Sequence, residues 1–236
     1  MRLPSARPRT PPPAETRDTL LRAAGEVFAE VGFRAATVRA ICRRAGANVA
    51  AVNYHFRDKE SLYVEVLRHA MARAHARHPF DGGLGPGSPP EARLRGFVRN
   101  FLGRLFERGE QAWLGRLMAR EMIEPSHALD LMVAERIRPM ADQLREIIRP
   151  IVGPACSEPE LRLCGFSIVS QCLFYNHCRS VVGRLFPDQL LTPHVAEDLA
   201  AHITRFSLAA LKERARHPRR RRGSGAQPPA PQARTA

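Results

Sequence analysis

The sequence predicts an all-α protein, a three-helix head followed by a larger helical body. Three observations lead to that reading. Apolar residues recur at i, i+3 and i+4 along most of the chain, and no stretch of useful length alternates as a strand does. Residues 37–62, TVRAICRRAGANVAAVNYHFRDKESL, set two short helices around a Gly-marked turn and open a third at once. Residues 78–91, HPFDGGLGPGSPPE, then interrupt the periodicity with Pro and Gly and divide head from body.

Residues 1–14 are rich in Pro and Arg and are expected to form a disordered arm. The first helix is predicted over about 16–31, with Leu20, Leu21, Ala24, Val27 and Phe28 as its apolar stripe, Gly32 as its stop and Phe33 folding back. Thr37 is placed to cap the second helix, whose Val38, Ile41 and Cys42 face a small core, and Gly46 supplies the left-handed turn that ends it. Asn48 caps a third helix with Val49, Val52 and Phe56 inward. Asp58 caps a fourth that carries Leu62, Val66 and Leu67 and runs to about Arg77. The head thus spans 15–78, and 79–90 is expected as a linker.

The body is expected over 91–214. Its helices are predicted at about 91–108, around Leu94, Phe97, Val98, Phe101, Leu102 and Leu105, and at about 110–123, around Trp113, Leu117 and Met118. A third, about 127–152, contains Pro139, which should kink it or split it in two. A fourth spans about 158–184, and a last, about 193–214, carries Leu199, Ile203, Phe206 and Ala210. Residues 215–236 read as a disordered basic tail.

The formal net charge is +14, which suits a polyanionic partner, DNA before membrane. The charge is unevenly placed: the stretch 212–236 holds eight basic residues against Glu213 alone. Only Lys59 and Lys212 are lysines, so the basic character is carried by Arg, a bias that a GC-rich coding habit also produces. Five cysteines (42, 156, 164, 172 and 178) contain no CxxC pair and leave one unmatched in any disulfide scheme, which fits a reducing compartment. The longest stretch without formal charge, Leu163 to Cys178, is too short and too polar to span a bilayer, and the N-terminus lacks a signal-peptide core. The expected location is cytoplasmic and nucleoid-associated. There is no nucleophile elbow, P-loop, HExxH or dinucleotide fingerprint, so neither catalysis nor a cofactor or resident metal is expected.

Two helices joined by a tight Gly turn form the helix-turn-helix unit, whose second helix enters a DNA major groove. A plain helical hairpin is the alternative, but spacing, caps and basic flanks all agree with DNA binding. The stretch from about Thr16 to Met71 resembles the DNA-binding domain of TetR-family transcriptional regulators, with NYHF-x-x-KE-x-L among the family's more specific signatures. From about Glu91 to Leu211, the segments WLGRLMARE, IRPMAD, QCLFYNHCR and LFPD resemble the C-terminal domain of the CecR-like branch.

That resemblance implies that Thr37, Arg39, Asn48, Val49, Ala50, Ala51, Asn53, Tyr54, His55 and Lys59 meet DNA, with Val49, Ala50, Ala51 and Asn53 toward the bases and Tyr54, His55 and Lys59 on phosphate. Val49-Ala50-Ala51 departs from commoner members, which carry polar or Gly residues there. Small apolar side chains can meet a thymine methyl but cannot hydrogen-bond a base, so polar readout falls on Asn53 and Arg39. Core packing of Val49, and packing of Tyr54 and His55 on the next helix, are the rival roles. Arg43 and Arg44 fit a solvated face equally well.

A recognition helix this short reads few base pairs, so a homodimer on a near-palindromic operator is expected. The 158–184 helix, apolar almost all round from Leu163 to Tyr175, and the last helix are the interface candidates, with Ile168, Phe174, Tyr175, Leu199, Ile203 and Phe206 named for it. Burial within one chain is the alternative. Phe97, Phe101, Trp113, Leu117, Met118, Met122 and Phe166 are candidate linings of an effector site, with Arg116, Arg120 and Glu121 as polar anchors, and each also fits ordinary core. The resemblance implies a repressor released by a small hydrophobic effector of antibiotic or other xenobiotic type, with transport or efflux genes as targets. A thiol- or metal-sensing regulator using Cys164, Cys172 and Cys178 is the alternative.

Overall fold

Residues 13–106, 113–187 and 193–217 are described by the computed structural model of the chain, and all their regular structure is helical. The arm and tail expected at 1–14 and 215–236 lie outside the described residues, except that Pro13 and Ala14 open the first helix and residues 215–217 close the last.

The head follows the local signals closely. Helix α1 (Pro13–Ala35) keeps its helical course to Val31 and breaks at Gly32, where φ is +82°. Helix α2 (Val38–Ala45) is capped by Thr37, whose Oγ1 accepts from the Ala40 N–H at 3.1 Å, and ends at Gly46 with φ +64°. Helix α3 (Val49–Phe56) is capped by Asn48, which accepts from the Ala51 N–H at 3.1 Å. Helix α4 (Lys59–Arg77) is capped by Asp58, which accepts from the Ser61 N–H at 2.7 Å. Each cap satisfies an N–H that the first helical turn leaves without a partner. Leu20, Leu21, Ala24 and Phe28 of α1 meet Ile41 and Cys42 of α2, Val52 and Phe56 of α3, and Leu62, Val66 and Leu67 of α4 in one buried core.

That core does not stop at the head. Helix α6 (Trp113–Ile123) and the short α7 (His127–Met132) add Trp113, Leu117, Ala128 and Met132 to it. Gly25 makes the approach possible: a Cβ there would lie 2.4 Å from the Trp113 ring. The junction is also polar. The Tyr63 hydroxyl donates to Glu121 Oε1 at 2.6 Å, and the backbone N–H and hydroxyl of Ser126 donate to the same buried carboxylate. Arg120 donates to the Glu30 carbonyl, and Arg68 of α4 is doubly bonded to Glu135.

A second core is built from α5 (Pro90–Leu105), α8 (Arg138–Val152), α9 (Glu158–His177) and α11 (Pro193–Arg216). The stretch expected as a linker is part of it. Phe80 stacks on Phe97 at 5.5 Å, and the Gly82 backbone seats on Gly96 so closely that a Cβ on Gly82 would come within 2.6 Å of the Gly96 Cα. The helix expected over 127–152 is interrupted just ahead of Pro139, as the sequence leads one to expect, but by a change of helix type and not by a loop. The chain passes from α7 into α8 through a π-helical segment, Val133–Ile137, in which the Arg138 N–H reaches back to the Val133 carbonyl. A π turn closes hydrogen bonds one residue further back than an α turn, so Pro139, which has no N–H to give, is accommodated at the start of α8. The helix expected over 158–184 is instead divided at Cys178 into α9 and a short α10 (Arg179–Leu185).

Because the Trp113 ring leaves no room for a methyl group, Gly25→Ala should destabilise the protein by about 1–3 kcal/mol despite the better helix propensity of Ala. Gly115→Ala, where a Cβ meets nothing within 4 Å, should be neutral or stabilising. Urea denaturation of the two variants side by side checks both expectations.

Candidate nucleic-acid interface

Helix α3 is held by its inner face alone. Val52 and Phe56 are buried, whereas Val49 is 42% exposed and Tyr54 80% exposed, with Ala50 and Asn53 also open to solvent. Val49 is therefore not a core residue, and Tyr54 is not packed on the next helix. The Tyr54 ring stands edge-on to His55 at 4.9 Å, and His55 is half-buried against Phe56. Asn48 accepts its capping bond through Oδ1, which leaves the amide nitrogen available as a donor. Thr37 is exposed, and Ala51 is half-buried.

The arginines flanking the two helices divide sharply. Arg44 is bound by both guanidinium nitrogens to Glu30 of α1, so it braces the head. Arg39 and Arg43 are exposed and carry no ion pair among the described residues. Arg57, which the sequence reading passed over, joins them. It is exposed and directly follows α3. Among the described residues it is the one non-glycine with positive φ (φ +69°, ψ −57°), in a turn closed by the Asp58 N–H on the Phe56 carbonyl at 2.9 Å. This is a γ-turn of the rare, strained hand, and such strain gathers at functional sites. No sequence signal marks it, since Gly or Asn is the residue that normally takes such a backbone.

Lys59 is turned toward the end of α1 and not toward a phosphate. Its ammonium donates to the carbonyls of Phe33, Arg34 and Ala36 at 3.0, 3.3 and 3.0 Å and lies 4.6 Å from the Phe33 ring centroid. All three of its N–H donors are thus spent on the carbonyls left open where α1 breaks at Gly32. Lys59 ties α1 to α4 and has no donor left for phosphate.

The model described as bacterial regulatory proteins of the tetR family matches residues 20–66, and the model described as the C-terminal domain of the HTH-type transcriptional dual regulator CecR matches residues 90–211. The chain belongs to the TetR family. The transcriptional repressor NicS of Pseudomonas putida is 26% identical over 206 residues, covering 84% of this chain and 92% of NicS. The dual regulator CecR of Shigella flexneri is 25% identical over 203 residues, with 80% and 90% covered. The solved TetR-family regulator PfmR from Thermus thermophilus superposes with a TM-score of 0.60 at 22% identity, over 81% of this chain and 95% of that one, a likeness of fold. The matched families are transcriptional regulators rather than enzymes, and no helix among the described residues is long and apolar enough to cross a membrane.

In the body, the residues expected around an effector are dispersed. Phe97 and Phe101 stack with Phe80 inside the second core. Trp113, Leu117 and Met118 pack against the head, because α6 lies on α1. Met122 and Phe166 face solvent, and Arg120 is occupied at the end of α1. Arg116 is exposed, and Glu121 is spent on the junction with Tyr63. The dimer residues divide likewise. Ile168 and Ile203 are buried within their own chain, and Tyr175 and Leu199 pack half-buried on the same core. Phe174 and Phe206 are exposed, as are Leu163 and Phe166 of the apolar helix α9. Burial pushes the Cys172 thiol up to about 12 and raises that of Cys164, the wrong direction for a reactive thiolate at those two positions. Among the described residues no group of three or more His, Cys, Asp or Glu is placed to hold a metal ion.

Replacing Lys59 by Met removes three carbonyl contacts and should lower stability by about 1.5–3 kcal/mol. The salt slope of DNA binding should stay unchanged. Thermal unfolding and salt-titrated operator binding of the same preparation separate the two effects.

Proposed function

We propose that the protein is a homodimeric repressor that reads a near-palindromic operator through α3 and releases it when a small, largely apolar effector binds the body. The observation that carries this is the outer face of α3, where Val49, Ala50, Asn53 and Tyr54 are exposed on a helix capped at Asn48 and anchored by Val52 and Phe56. Base readout rests on thymine methyl contacts from Val49 and Ala50, with Asn53 and Arg39 as hydrogen-bonding readers. Arg43 and Arg57 serve the phosphates, together with Tyr54 and His55. The dimer face is the outer side of α9 and α11, where Leu163, Phe166, Phe174 and Phe206 present exposed apolar area. A second copy packed there forms a four-helix bundle and sets two α3 helices on successive half-sites. That the relative NicS is a repressor supports the sign of regulation.

Selection of bound duplex from sheared genomic DNA, followed by titration, tests the whole. Specific binding should exceed binding to random duplex by about 10³ or more, and a preference below about tenfold would overturn the proposal. Asn53→Ala should relax preference at one base position, worth about 1–3 kcal/mol. Arg57→Gly should relieve the backbone, raise the unfolding midpoint and lower the salt slope of binding by about 1. Phe166→Glu with Phe174→Glu should yield monomers in sedimentation and lose operator binding.

A further inference from the structure

Helix α10 is weakly anchored to the rest of the body. It has seven residues, and Val182 is the one among them that is buried. Val182 belongs to neither of the two cores, and the helix rests chiefly on α9. A helix this short does not hold itself together in water, since isolated helices below about 12–15 residues are marginal. Its large apolar side chains nonetheless face outward. Val181 is 56% exposed, Leu185 65%, and Phe186, just past the end of the helix, 51%.

These three side chains continue a longer row. Cys178 interrupts the helix only briefly: its N–H still donates to the Phe174 carbonyl at 2.8 Å, and its own carbonyl accepts from the N–H groups of Val181 and Val182. Along α9 the exposed residues Leu163, Phe166, Ser170, Phe174 and His177 follow one another at intervals of three and four. Residues so spaced share one face of a helix. Val181 and Leu185 keep the same intervals across the break, so the outward face of α9 runs on into α10. The exposed Arg179 and Arg184 flank it there.

The terminal stretches of the chain are poor covers for such a face. Residues 1–12 offer Met1 and Leu3, and 218–236 hold no Val, Leu, Ile, Met or aromatic residue. Area points to a second copy instead. An obligate homodimer buries upward of about 1,000 Å² per copy, about two-thirds of it apolar, hence roughly 650 Å² of apolar surface. At their fractional exposures, Leu163, Phe166, Phe174 and Phe206 supply roughly 500 Å² of it, with large side chains at about 150–250 Å² each, and the three residues of α10 add roughly 300 Å². The face on α9 and α11 falls short alone and suffices once α10 joins it. We infer that α10 is a dimer arm, whose Val181, Leu185 and Phe186 pack on a second copy of the chain and extend the contact made by α9 and α11. Twofold symmetry makes this contact twice, once from each copy. The short helix then draws from the assembly the packing that its own chain withholds.

The inference rests on the homodimer reading, and sedimentation of the full chain tells the two apart. A wild-type chain that stays monomeric at its highest soluble concentration overturns both, whereas a dimer indifferent to α10 overturns the arm alone. Leu185→Glu with Phe186→Glu should weaken self-association at least about tenfold. Ile123→Glu, at an exposed apolar residue ending α6, should leave it unchanged. Diluted below the dimer range, the double variant should unfold in urea no earlier than wild type, because both side chains are exposed in the single copy. Hydrogen exchange of the wild-type chain keeps the test open if the double variant does not fold. The amides of 179–186 should exchange freely in the monomer and gain protection as concentration rises through the dimer range. Self-association unchanged in the double variant, earlier unfolding of its monomer, or protection that ignores concentration would each overturn the assignment. Wild-type binding to anionic phosphatidylglycerol vesicles that the double variant loses would do so too, giving the face to a membrane.

Discussion

The arrangement of this molecule hangs on one buried carboxylate. Glu121 sits on α6, yet its oxygens are taken by the Tyr63 hydroxyl of α4 and by Ser126 at the start of α7. A carboxylate in that setting is tolerable only while every lone pair is met, so α4, α6 and α7 cannot separate without exposing an unsatisfied charge. Trp113 on Gly25 supplies the apolar half of the same joint. The head is therefore not a module on a string. Its orientation is set by α6 and α7, and any change in the body that shifts those helices reaches the DNA-reading surface through a stiff contact.

Much of the head was legible in the sequence because its signals are local. Thr37, Asn48 and Asp58 cap where they were expected to, since a cap depends on a side chain and an N–H two or three residues away. Gly32 and Gly46 take the positive φ that a helix end requires. The breadth of the all-α reading follows from the same property, periodicity being a local quantity. The exposure of Val49 sets aside the core role that its type also allowed.

What the sequence could not show is which surface each stripe meets. Trp113, Leu117 and Met118 fit a pocket lining as well as the ordinary core that their type favours, and the packing of α6 on α1 puts them on the core shared with the head. Ile168 and Phe174 lie on one helix of nearly uniform hydrophobicity, so periodicity had no polar face by which to orient it. Lys59 looked like a phosphate contact because nothing local indicates that the carbonyls ending α1 come to rest above it. Arg57 was invisible for the opposite reason: its backbone violates the preference of its residue type.

The π-helical segment has a geometric effect on how one rod can serve two cores. Residues 127–152 form an unbroken helical path, with Ala128 and Met132 buried against the head and Leu144, Ile147 and Ile148 buried in the body. At 100° per residue, Leu144 would point about 120° away from Met132, and a straight α-helix could not bury both ends against the same flank. The wider turn takes up one extra residue and sets the rotation back by about 100°, which brings the two stripes almost into line. The segment thus acts as a phase corrector in the shaft between the two cores. Loss of a single residue there would turn one end out of register with the other while leaving both helices intact.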